Sequence, residues 1–126
     1  MTRRIIATDG APEAVGPYSQ ATATGDLLFC SGQIALDPTT GELLKSSIEE
    51  ETRRCLDNLT AVLTAAGTGW SNVVHVRAYL TNIDDYGPFN EAYAAYAGSD
   101  PPARAAVGVA ALPKGARVEI ECVATL

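Results

Sequence analysis

The sequence predicts one long helix, and capping residues mark both of its ends. Ser47 and Glu50 fit a capping box, and Gly67 fits the position just beyond a helix C-terminus. Between these ends, apolar or small residues recur at helical spacing: Ile48, Thr52, Cys55, Leu56, Leu59, Val62, Leu63 and Ala66. A helix of roughly 20 residues with one apolar face is stable only when that face packs against another layer. The rest of the chain must supply that layer.

Most other apolar residues lie in strand-sized segments bounded by Gly and Pro. The predicted strands are Arg4–Ala7, Ala21–Thr24, Leu27–Ile34, Val73–Leu80, Arg104–Ala111 and Arg117–Thr125. A second helix is predicted from Pro88 to Ala97, with Phe89, Ala92, Tyr93 and Tyr96 as its apolar stripe and Asp84 or Asp85 near its start. The order β-β-β-α-β-α-β-β predicts an α+β fold in which two helices cover a mixed sheet. With 126 residues, the chain is sized for one domain over residues 1–126.

The last predicted strand separates its side chains by chemistry. Val118, Ile120 and Cys122 point to one face, whereas Glu119 and Glu121 point to the other. The alternation in the fourth strand places Val74, Val76, Ala78 and Leu80 on one face and Val73, His75, Arg77 and Tyr79 on the other. The charged face of the sheet is therefore expected to meet solvent, a cleft or another subunit.

Composition excludes several functions. The chain has 15 acidic and 9 basic residues, a net charge of -6, so binding to nucleic acid by phosphate neutralisation is not expected. No apolar run reaches the ~20 residues that span a bilayer, and the N-terminus lacks the apolar run of a secretory signal; we expect a soluble, cytoplasmic protein. Three cysteines at wide spacing suit a reducing compartment, and with one histidine they make no zinc site. No glycine motif for a nucleotide phosphate occurs.

Arg104 and Glu119 are the main candidates for chemistry. Arg104 follows Pro101-Pro102-Ala103 at the mouth of a strand whose next seven residues are uncharged, and a guanidinium there suits a carboxylate ligand. An Arg paired with a nearby acidic residue is the more common arrangement at a strand end. If the last two strands formed a tight hairpin, Glu119 would lie opposite Val109, about 17 Å from Arg104. A joint site therefore requires another strand order or a second chain.

Other candidates are weaker individually. Gly16-Pro17-Tyr18-Ser19-Gln20 is a turn that presents Tyr18. Ser31-Gly32 places a hydroxyl beside a glycine within a strand, where glycine often marks the close approach of a ligand or another backbone. Ser31 lacks the motif of a nucleophile, and His75 is interpreted as a packed or surface histidine. The cysteines lie on apolar faces and are expected to act as small hydrophobic residues.

Taken together, the motifs resemble the RidA family (reactive intermediate deaminase A), also called YjgF or L-PSP endoribonuclease. They cover nearly the whole chain in order: Gly16-Pro17-Tyr18-Ser19-Gln20-Ala21, Ser31-Gly32-Gln33-Ile34, Pro38-x-x-Gly41, Leu56-Asp57-Asn58-Leu59, Phe89-Asn90, Pro102-Ala103-Arg104 and Leu112-Pro113-Lys114 with Glu119-Ile120-Glu121.

The resemblance implies a chorismate-mutase-like fold assembled as a homotrimer, with ligand sites in the clefts between subunits. It implies hydrolysis of 2-imino acids, such as 2-iminobutanoate and 2-iminopropanoate, to 2-keto acids and ammonia without a cofactor or metal. Arg104 matches the family's carboxylate-binding arginine, and Glu119 matches the glutamate that positions and activates water. Tyr18, Ser31 and Asn90 match positions that line the cleft.

Two positions depart from the family pattern. Ala106 stands where many members have Cys, and Gly108 stands where Glu is common. Because Glu119 can activate water without a thiol, imine hydrolysis is expected to survive with an altered side-chain preference. A non-catalytic trimer that binds small carboxylates or proteins, and an RNA-cleaving enzyme, are the alternatives.

Overall fold

The long helix forms where the sequence marks it. The computed structural model describes residues 2–126 and contains α1 at Ile48–Ala65. The Ser47 hydroxyl accepts a hydrogen bond from the backbone N–H of Glu50 at 3.2 Å, which confirms the predicted N-cap. At the other end Gly67 has a φ of +85°, and the N–H groups of Gly67 and Thr68 donate to the carbonyls of Thr64 and Leu63 in a Schellman motif. The apolar face of α1 is buried, as predicted.

The second helix, α2, spans Tyr86–Ala97 and begins two residues before the predicted start. Pro88 therefore lies within the first turn rather than at its opening. A proline is tolerated there because the N–H groups of a first turn have no partner within the helix. Gly98, with a φ of +76°, ends the helix as predicted.

Six strands form one mixed sheet. They are β1 (Arg4–Ile6), β2 (Ala21–Thr24), β3 (Leu27–Gln33), β4 (Val73–Leu80), β5 (Ala103–Gly108) and β6 (Val118–Thr125). Their order across the sheet is β1-β2-β3-β6-β4-β5; β4 and β5 are parallel, and the other pairs are antiparallel. The two helices cover one face of the sheet, so the predicted α+β class, with a mixed sheet and two helices, is confirmed.

The last two strands do not form a hairpin. Arg104 of β5 lies opposite Val76 of β4, while β6 lies between β3 and β4. Because α2 connects β4 to β5, these elements form a β-α-β unit, whose strands pair in parallel. The strand β5 also ends three residues earlier than predicted.

A bulge corrects one predicted face assignment. Val76, Ala78 and Leu80 are buried under the helices, as the alternation predicts, but Val73 is 6% exposed and Val74 is 46% exposed, the reverse of the prediction. The register with β6 shifts between Val73 and His75. A bulge inserts an unpaired residue and so exchanges the faces before it.

The second face of the sheet is open and partly apolar. Glu119 and Glu121 lie on it, as predicted, beside exposed Leu27, Phe29 and Val107. Its charged and apolar side chains alternate with the core residues of the same strands, so each strand serves both faces. Within residues 2–126, no helix has the length and apolar character needed to cross a membrane.

Candidate functional site

Three of the predicted site residues line one cleft. Tyr18, Ser31 and Glu119 border a space of about 490 Å³ beside the open face, together with Glu121 and Lys114. The residues come from the turn before β2, from β3, from β6 and from the loop that precedes β6. The cleft is called the glutamate cleft below.

Local hydrogen bonds fix the turn side of the glutamate cleft. Gly16 has a φ of +126°, and Tyr18 follows it with 52% of its surface exposed. The Ser31 hydroxyl donates to the Ser19 carbonyl at 2.6 Å. Since that bond uses the hydroxyl proton, Ser31 offers a ligand only its acceptor lone pairs. The buried Gln20 holds the turn by donating to the carbonyls of residues 8, 11 and 12.

Gly32 makes room for Glu119. A Cβ atom added to Gly32 would lie 2.9 Å from Cδ of Glu119, closer than Cβ atoms essentially ever approach, and 3.1 Å from its Cγ, which is also unusually tight. The sequence predicted the approach of a ligand or another backbone at this glycine, but the approaching group is the Glu119 side chain of the same chain. Gly32 thus leaves the space that the carboxylate occupies.

Burial and a like charge act on Glu119. Partial burial raises the pKa of its carboxyl group, and the neighbouring charge of Glu121 raises that pKa further. Glu121 accepts a hydrogen bond from the Tyr79 hydroxyl at 2.7 Å and forms an ion pair with Arg77 at 2.9 Å. Glu121 is therefore engaged, whereas Glu119 has no hydrogen bond or ion pair with another residue of 2–126 and is free to bind a ligand or water.

Arg104 is held by aromatic rings instead of an acid. Its guanidinium carbon lies 4.8 Å from the ring centre of Tyr93, 5.3 Å from that of Phe89 and 5.5 Å from that of Tyr86. The common pairing of a strand-end Arg with an acidic residue is not found, because no carboxylate within residues 2–126 forms an ion pair with Arg104. Rings attract a cation through their quadrupole without neutralising its charge. The guanidinium remains available to an anion.

Unpaired polar atoms adjoin Arg104. Asn90, Tyr93, Pro102 and Arg104 line a second space of about 340 Å³, called the arginine cleft below. The side-chain oxygens of Asn90 and Tyr93 are buried without a hydrogen-bond partner in residues 2–126. Buried polar atoms are paired in most proteins, so two unpaired oxygens beside Arg104 leave hydrogen-bonding capacity for a ligand or water.

The two clefts lie on opposite faces of the sheet. Arg104 is level with Val76 on the helix-covered face, and Glu119 is level with Tyr79 on the open face. The backbones at Arg104 and Glu119 lie two strands and three residues apart, about 14 Å. One chain therefore joins Tyr18, Ser31 and Glu119 in one cleft and Asn90 and Arg104 in the other, but does not bring the two groups together.

Sequence reasoning missed the aromatic surroundings of Arg104. It interpreted Phe89 and Tyr93 as a stripe that packs on the core, and it assigned Tyr86 no role. The helical spacing of these rings was visible, but their approach to Arg104 depends on the parallel pairing of β5 with β4. Ala106 lies on the same face as Arg104 and packs against the core, so a small side chain fits there. His75 is a partly exposed residue of the sheet, as predicted.

The fold and the clefts define a small α+β protein with two sites suited to small ligands, one cationic and one acidic. The family described as Endoribonuclease L-PSP matches residues 8–126. The human 2-iminobutanoate/2-iminopropanoate deaminase is 47% identical over 124 residues, which cover 98% of this chain and 90% of that protein.

Solved structures agree with these sequence matches. A Rid-family protein of Yersinia pestis has a TM-score of 0.96 at 45% identity, over 99% of this chain and 100% of that chain. TdcF of E. coli, solved with bound serine, has a TM-score of 0.91 at 35% identity, over 98% of each chain. The chain belongs to the RidA/YjgF/L-PSP family, as the motifs indicated.

The contact between Gly32 and Glu119 can be tested directly. In Gly32→Ala the new methyl group occupies the place of the carboxylate, so we expect Glu119 to swing toward solvent and its pKa to fall toward the ordinary value. Carbon-13 NMR titration of the glutamate carboxyl groups measures this pKa. Gly69→Ala is the matched control because nothing lies within 4 Å of a Cβ at that extended position. An unchanged Glu119 titration in Gly32→Ala would contradict the proposed contact.

Proposed function

We propose that the protein is a cofactor-independent deaminase that hydrolyses 2-imino acids, such as 2-iminobutanoate and 2-iminopropanoate, to 2-keto acids and ammonia. The observation that carries this proposal is Arg104, a guanidinium held by rings and without an acidic partner among residues 2–126. A planar fork of N–H donors suits the carboxylate that all these substrates share. The names of relatives at about this level of identity, and the serine bound to the E. coli neighbour, support the same ligand class.

The site is proposed to form between two copies of the chain. Arg104 and Glu119 cannot reach one small ligand from opposite faces of one sheet, so a neighbour must supply one of the two clefts. The open face exposes Leu27, Phe29 and Val107 at 41%, 46% and 46%, which favours burial against another copy. A homotrimer in a closed ring, with a chorismate-mutase-like arrangement, would give three equivalent sites.

In this site each residue has a separate task. Arg104 of one subunit holds the substrate carboxylate and so fixes the position of the C=N carbon. Glu119 of the neighbour accepts a proton from water as the water oxygen bonds to that carbon. That proton passes to the imine nitrogen to give a carbinolamine. Glu119 then accepts the proton of the new hydroxyl group and transfers it to the nitrogen as the C–N bond breaks, so ammonia leaves and the carbon becomes a ketone. Tyr18, Ser31 and Asn90 line the two sides of the joined cleft.

The first prediction from the proposed function concerns Arg104 as the residue that binds the substrate carboxylate. Arg104→Ala should lower kcat/KM by about 100-fold or more, because a desolvated carboxylate loses its charged partner. Arg104→Lys keeps the charge but lacks the planar fork of N–H donors, so its kcat/KM should lie between those of wild type and Arg104→Ala. The assay adds the protein to a dehydratase that releases enamine from an amino acid and follows the formation of keto acid.

Two results would contradict that prediction or the function. A full rate in Arg104→Ala overturns the role of the arginine, and wild-type protein that does not exceed spontaneous hydrolysis overturns the deaminase. Arg53→Ala is the matched control, since Arg53 is an exposed arginine on α1. Tight carboxylate binding without turnover would identify the non-catalytic alternative.

The second prediction concerns the shared site. Arg104→Ala and Glu119→Gln are each expected to be inactive alone, but a mixed trimer retains one site in which both residues are native. Random mixing of equal amounts should therefore restore about a quarter of wild-type activity in a closed ring of three. The variants are unfolded together, refolded and assayed, with each variant refolded alone as the control. No recovery, despite mixed species in native mass spectrometry, would rule out a site shared between chains.

The third prediction concerns pH. Activity requires ionised Glu119, so kcat/KM should rise as pH increases through the pKa of Glu119. Because the charge of Glu121 helps to raise this pKa, Glu121→Gln should lower it and move the acidic limb of the profile to lower pH. Glu42→Gln, an exposed acid away from the cleft, should leave the limb in place. If the acidic limb of the kcat/KM profile lay at the same pH in Glu121→Gln and wild type, the assignment of that limb to Glu119 would be wrong.

The family description also denotes RNA cleavage. In the glutamate cleft, Glu13, Glu119 and Glu121 outnumber Lys114, an arrangement that repels phosphate. We therefore favour the deaminase, and RNA cleavage by a nuclease-free preparation that Glu119→Gln abolishes would favour the alternative.

A further inference from the structure

The guanidinium of Arg104 has a phenol oxygen on its edge. Nη2 of Arg104 donates a hydrogen bond to the Tyr86 hydroxyl at 2.9 Å. Tyr86 is the first residue of α2 and is 41% exposed, and its hydroxyl lies against Arg104, which lines the arginine cleft. The chain thus places a hydroxyl hydrogen beside the N–H groups of the guanidinium.

The phenol proton of Tyr86 has no acceptor among the side chains and backbone of residues 2–126. A tyrosine hydroxyl carries one proton and two lone pairs, and the bond from Arg104 uses a lone pair. Within residues 2–126 the Tyr86 hydroxyl makes no other hydrogen bond. All N–H groups of a guanidinium lie in its plane, so an anion binds at its edge, where the phenol also lies. A carboxylate bound at this edge lies beside the Tyr86 hydroxyl, and the lone pairs that the fork of Arg104 leaves unused can accept the phenol proton.

We propose that Tyr86 is a second donor of the carboxylate-binding site and acts together with Arg104. The inference rests on the proposed function for the identity of the ligand, a 2-imino or 2-keto acid, but not for the geometry. Two donors on different side chains fix the plane of the carboxylate as well as its position.

Tyr86→Phe tests the donor because it removes one oxygen and keeps the ring against Arg104. The dissociation constant for 2-oxobutanoate, measured by titration calorimetry, should rise about tenfold, the effect of losing one hydrogen bond to a charged group. KM should rise by a similar factor while kcat stays within about twofold, since bound substrate and transition state share the carboxylate. Tyr96→Phe is the matched control, because the Tyr96 hydroxyl on the same helix bonds to Asp57.

A spectroscopic measurement on the native protein separates this role from a structural one. With carbon-13 at the tyrosine Cζ atoms, saturation with 2-oxobutanoate should shift the signal that Tyr86→Phe removes and leave the Tyr96 signal unmoved. A tyrosine that only supports Arg104 would keep its signal and would change kcat along with KM. Equal thermal unfolding of both variants and wild type confirms that the fold is kept.

The outcomes separate the inference from the function. A dissociation constant for Tyr86→Phe within twofold of wild type overturns the inference, whatever the turnover. Wild-type protein that binds 2-oxobutanoate without hydrolysing imines overturns the deaminase, and a tenfold weaker affinity in Tyr86→Phe still supports the donor. Absence of binding to wild type overturns both.

Discussion

Side chains alternate across a β-strand, and in this protein the alternation separates two charges that one reaction would need together. Arg104 projects beneath the helices, and Glu119 projects onto the open face, with β4 between their strands. No change of side-chain conformation carries a group through a sheet whose interior is packed by Val76, Ala78 and Ile120. The sheet itself therefore acts as the partition, and assembly is the physical route by which the two clefts can meet.

The same alternation explains how one strand supports both core and site. In β6 the side chains of Val118, Ile120 and Cys122 are buried in the core beneath the helices. Glu119 and Glu121 alternate with them and lie on the open face. Glu121 forms an ion pair with Arg77 and accepts a hydrogen bond from Tyr79, so its position is fixed. The carboxylate without such partners is the one that Gly32 accommodates. A rigid strand thus holds one engaged acid and one available acid side by side.

How far the sequence predicts this structure depends on the distance over which each feature is determined. The helix α1 is determined by residues within one turn of Ser47 and Gly67, and it was predicted at both ends. The faces of Val73 and Val74 depend on a bulge against β6, and the pairing of β5 depends on the path of α2; neither leaves a local signal. Tyr86 was missed for the same reason: its proposed role depends on a hydrogen bond with Arg104, eighteen residues away.

The aromatic setting of Arg104 resolves an apparent conflict between the net charge of -6 and a site for an organic anion. An arginine stabilised by an ion pair would have its charge cancelled, and an incoming carboxylate would have to displace the acid. The rings of Phe89 and Tyr93 stabilise the cation while leaving its N–H edge and its charge intact. The surrounding acidity acts over distances that salt screens, whereas the guanidinium acts at contact. An acidic protein can in this way keep one guanidinium open to an anion at contact distance.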